Sequence, residues 1–62
     1  MTEQEAIGAQ YASIVQSLFA TFHGSCVTAK TAAEEKKAEQ KFVNAIKQAR
    51  DARTRALAIL PG

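Results

Sequence analysis

Phe22-His23-Gly24-Ser25-Cys26-Val27-Thr28-Ala29-Lys30-Thr31-Ala32-Ala33-Glu34 joins two unlike halves of this chain, and its reading decides the fold. Before it, Thr2-Glu3-Gln4-Glu5 has the Thr-x-x-Glu form of a capping box, with both acids at the positive end of a helix dipole. The apolar residues Ile7, Tyr11, Ile14, Val15, Leu18, Phe19 and Phe22 then recur at steps of mostly three and four, forming one broad helical face. His23-Gly24 reads as the stop, with glycine able to take the left-handed conformation and histidine suited to the negative terminus. The first helix is therefore expected over about residues 3–23 and the turn over about 24–31.

The second helix has two possible starts. Thr31-Ala32-Ala33-Glu34 is another capping box, which starts the helix near Ala32. Ser25 as the cap starts it near Cys26 and makes a tight αα-hairpin. Val27, Thr28 and Thr31 are mediocre helix formers, which favours the later start. Residues 32–56 are dense in Ala, Glu, Lys, Gln and Arg, and Pro61 ends regular helix near residues 59–60. The fold class expected is all-α: one antiparallel two-helix hairpin over residues 1–62, completing a helical bundle by oligomerisation or docking. These pieces resemble the general pattern of hairpins that pair into four-helix bundles.

The charge distribution points to association. There is no Asp, Glu, Lys or Arg in residues 6–29, while all eight basic residues and four of the six acids lie in residues 30–55. A helix at the surface of a monomer normally keeps a charged face toward water, so the first helix is expected to have protein on most sides. A chain of 62 residues buries only about 60% of its unfolded surface and usually needs disulfides, a metal or partner chains. One Cys and one His supply neither an internal disulfide nor a structural zinc site. No cofactor is implied. Contact across a symmetric interface leaves a shared metal or disulfide through Cys26 as a minor possibility.

The second helix carries a heptad. Ala38, Phe42, Ala45, Ala49, Ala52, Ala56 and Ile59 follow the a/d rhythm of a coiled coil, and Ile46, Leu57 and Leu60 widen the stripe. Alanine at these positions permits close approach of helices, and Ala6, Ala9, Ser13 and Ala20 make a matching small-residue line on the first helix. Arg53 lies inside the stripe. Either its stem covers apolar surface while its charge reaches water, or it latches onto Glu3 or Glu5 across the hairpin. Helix 2, at about 28 residues, is expected to overhang helix 1, at about 20, by roughly two turns. The overhang carries Ala56, Leu57, Ile59 and Leu60 and marks a partner interface anchored by Leu57 and Leu60, with Ile46 and Arg53 as further partner-binding candidates on the stripe.

Chemistry has little to build on. His23 and Cys26 invite a nucleophile–base reading, but no acid lies near in sequence and a two-helix turn offers no cleft. The chain is expected not to be an enzyme. Lys36, Lys37, Lys47 and Arg55 share a sector of the second helix and supply an alternative role, nucleic-acid binding by a four-helix bundle. Asp51 interrupts that sector, and no aromatic is interleaved for base stacking, so a solvated face is favoured. Residues 6–22 carry no formal charge but are broken by Gln10, Ser13, Gln16, Ser17 and Thr21, which disfavours a membrane span. Acidic residues stand where a secretory leader is basic, favouring an intracellular place or one inside a protein assembly. The function expected is a non-catalytic assembly or accessory subunit of a homo-oligomer or larger complex, for example a virion component.

Overall fold

The computed structural model describes residues 1–61. Two helices, α1 (Glu3–Thr28) and α2 (Ala32–Ile59), pack along each other as a hairpin joined by residues 29–31. Both begin where the capping chemistry places them. The Thr2 hydroxyl accepts from the Glu5 amide at 3.1 Å, and the Thr31 hydroxyl accepts from the Glu34 amide at 3.1 Å. The Glu34 carboxylate reaches back to the Lys30 amide at 2.9 Å, so a second free donor ahead of α2 is also satisfied. At the far end, Leu60 is extended at φ −63° and ψ 134°, the geometry a following proline imposes. The later start of α2, at Ala32, is the one adopted.

The end of α1 differs from the expected one. The helix runs through His23 and Gly24 and stops at Thr28, with Ala29 extended as its cap. Glycine in a helix costs about 1 kcal/mol against alanine. Continuing past it carries Ser25 and Ala29 to half-buried positions, and Ser25 joins Ala38 in lining one groove between the helices. The last turn is then closed locally. Thr28 donates its hydroxyl proton toward the carbonyls of Gly24 and Ser25, both at 3.2 Å, and the Ala29 amide donates to the Ser25 carbonyl at 2.9 Å.

Extending α1 by five residues resets the register of the pair. Phe22 stacks on Phe42 with ring centroids 4.9 Å apart, and the Arg53 guanidinium lies 4.4 Å from the Tyr11 ring centroid. Eleven residues separate these contacts on each helix, so the two run past each other residue for residue. With 26 and 28 residues the helices are nearly equal, and Leu57 and Leu60 lie beside residues 1–4. The two-turn overhang expected of α2 is absent.

The covered seam on α1 runs Ile7, Tyr11, Val15, Leu18, Phe22, Ser25 and Ala29; on α2 it runs Ala38, Phe42, Ala45, Ala49, Arg53, Ala56 and Leu60. On each helix six steps cover 22 residues, about 3.67 per step, close to the natural period of an α-helix and longer than 3.5. The seam therefore drifts off the heptad in its second half. It passes through Arg53 and Leu60, leaving Ala52 exposed and Ile59 80% exposed.

Candidate interaction surface

A pair of helices is a single layer, and this layer is thin. The Cα trace measures 50 × 18 × 6 Å with a radius of gyration of 14.7 Å, against about 10.6 Å for a compact chain of this length. Only Ala38 is buried among the described residues. Every large apolar side chain that touches the other helix keeps one flank in solvent.

The layer has two faces. The first is a groove in two shallow parts. One is floored by Leu18, Phe22, Ala38, Phe42 and Ala45 and edged by Thr21 and Lys41. The other is floored by Ile7, Tyr11, Ile14, Ala49, Arg53 and Ala56 and edged by Gln10 and Ala52. Alanines on α2 make this groove, since their small side chains leave the bulkier side chains of α1 uncovered. Ile14 is 39% exposed here.

Residues two positions away from these edges point about 200° around the helix, onto the opposite face. Thr21 and Lys41 thus assign Phe19 and Val43 to the second face, where they are 57% and 47% exposed. Phe19 also holds the His23 ring, at a centroid distance of 6.3 Å, on this side. Leu57 and the half-buried Ile46 extend the same face along α2.

The residues singled out from sequence are distributed unevenly over this layer. Ile46, Arg53 and Leu60 are half-buried in or beside the seam, Leu57 is exposed next to them, and Ile59 points away. Arg53 uses its charge on the Tyr11 ring, and the Glu5 carboxylate accepts from the Thr2 hydroxyl at 3.2 Å, so the latch to Glu3 or Glu5 is replaced by a cation–π contact two turns further along α1. Lys36, Lys37, Lys47 and Arg55 are all exposed, with Asp51 exposed among them. His23 lies within α1, and Cys26 is an exposed free thiol less than one turn before the seam ends at Ala29. Val43 is the exposed apolar residue on this face that the α2 heptad leaves out, while Phe19 belongs to the broad apolar face of α1. Their signal is a second i, i+3, i+4 line beside the seam on each helix.

Among the described residues no group of three His, Cys, Asp or Glu side chains could hold a metal ion, and no helix is long and apolar enough to cross a membrane. No protein-family model matches the sequence, and no curated protein or solved structure is detectably similar to it.

Proposed function

We propose that this chain is a non-catalytic assembly element, an antiparallel helical hairpin whose core is completed by helices that pack on its exposed faces. The partners are further copies of itself or subunits of a larger complex. The observation that carries this reading is surface area. The chain exposes 5010 Å², whereas a compact monomer of its 6.7 kDa mass exposes about 3,900 Å². The excess of about 1,100 Å² is of the size that one partner contributes to a stable protein interface.

The chemistry of that surface agrees with the area. The faces present Phe, Ile, Val, Leu and Ala rather than convergent polar groups, and residues 6–29 contribute no charge that a partner would have to desolvate. A solvated face needs none of these apolar residues, and the charged positions that water does favour lie on the outer sector of α2.

The reading is tested by measuring mass and helicity together across a wide concentration range. Association predicts that helical content and thermal midpoint rise with concentration as mass rises, because folding and assembly are coupled. A monomer that stays fully helical, with a midpoint independent of concentration, overturns the reading.

A further inference from the structure

We infer that the face bearing Phe19 and Val43 binds a second copy of this chain, with the two α2 helices antiparallel about a two-fold axis at the level of residues 44–45. This deepens the assembly reading and rests on it. The charge pattern of α2 selects the occupant. Beside the seam, a line of residues on this face runs Glu35, Glu39, Val43, Ile46, Arg50 and Leu57. Its acids lie toward one end and its arginine toward the other.

That polarity is self-complementary only when the row is reversed. Glu39 and Arg50 lie equally far from the point between Asn44 and Ala45, as do Val43 and Ile46. Turning a second α2 about that point sets Glu39 against Arg50 of the second copy, and Val43 against its Ile46. Each contact occurs twice, as an isologous interface requires. Running the two α2 helices parallel in register would place glutamate on glutamate and arginine on arginine.

The first helix fits the same operation. The residue-for-residue register puts Phe19 level with Ala45, so the most exposed aromatic side chain of the molecule lies beside the axis and meets its own equivalent. Over residues 6–29 the rest of α1 on this face is charge-free and meets its own copy without leaving any ion unpaired. The layer measures about 50 by 18 Å, a footprint of about 900 Å² per copy, against the roughly 800 Å² of a standard interface. The opposite face carries Glu34, Lys37 and Lys41 along its rim.

The test is charge reversal at Glu39 and Arg50, both exposed and outside the hairpin's own seam. Glu39→Arg and Arg50→Glu are made singly, and mass is followed by sedimentation equilibrium at low and high salt. Each single variant is expected to dimerise at least about tenfold more weakly than the parent at low salt, with the deficit shrinking as salt rises. An equal mixture of the two variants restores opposite charges across both contacts. It should form a mixed dimer of nearly parental affinity, as should the double variant with itself.

The outcomes separate the two claims. Single variants that associate as the parent does, in a parent that is oligomeric, overturn the two-fold pairing and leave the assembly reading standing. A parent that is unfolded alone shows that a second copy is not the occupant, and also overturns the pairing. A parent that remains a helical monomer overturns both.

Discussion

The Arg53 guanidinium rests 4.4 Å from the centroid of the Tyr11 ring, joining the first half of α1 to the later half of α2. A cation over an aromatic face is attracted by the ring quadrupole and, at a partly exposed site, contributes about 0.5–1 kcal/mol. The guanidinium thereby has a partner without leaving the apolar stripe. A double-mutant cycle between Tyr11→Leu and Arg53→Gln is expected to give a coupling of that size, measured by thermal unfolding at fixed concentration. The same cycle between Arg53→Gln and Glu3→Gln should give a coupling near zero. Equal couplings would restore the ion-pair latch.

Phe22 and Phe42 form the other anchor, at 4.9 Å and tilted by 31°. Both are half-buried, so truncation removes less contact than in a closed core. Phe42→Ala is expected to cost about 2 kcal/mol, below the usual range for a fully buried phenylalanine. Loss of helicity at low concentration is the readout. Phe19→Ala, by contrast, removes a side chain that is 57% exposed in the hairpin, and should leave the stability of the isolated hairpin within about 0.5 kcal/mol while lowering the mass in solution.

Much of this architecture is legible from local chemistry. Thr2, Thr31 and Pro61 mark helix ends because a hydroxyl acceptor or a missing amide acts within one turn of itself. Gly24 marks no end, for the opposite reason. Glycine permits a helix stop but does not impose one, and the choice is settled by contacts that Ser25 and Ala29 make only after α2 has packed. The register follows from this: five extra residues on α1 move Arg53 from the level of Glu3 to that of Tyr11 and remove the overhang of α2. A period of 3.5 extended along α2 places Ile59 in the seam, whereas the drift of a helix near its natural period favours Leu60.

The cap of α2 should matter more than that of α1. Thr31 and Glu34 together satisfy two backbone donors at the start of α2, directly after the three-residue connection. Thr31→Ala is expected to cost about 1 kcal/mol. Thr2 makes an equivalent bond, but its neighbour Met1 is 93% exposed and the first turn can fray without disturbing the seam. Thr2→Ala should cost half as much or less. Amide exchange separates the two, with faster exchange across residues 32–36 in the first variant and only at residues 3–6 in the second.

Gly24→Ala gives the sharpest test of how the hairpin turns. In α1 the residue has helical geometry, and a Cβ placed on it meets nothing within 4 Å. Alanine there fits without strain, improves helix propensity and removes freedom from the unfolded chain, so a gain of about 0.5–1 kcal/mol is expected. Gly8 is equally open and lies four turns away in the same helix, so Gly8→Ala should add a similar increment independently. A helix that stopped at Gly24 in a left-handed conformation would behave in the opposite way. Alanine would then be strained, and the substitution would cost more than the gain predicted here. The sign of the change in thermal midpoint, at matched concentration, therefore decides whether α1 continues to Thr28 in solution.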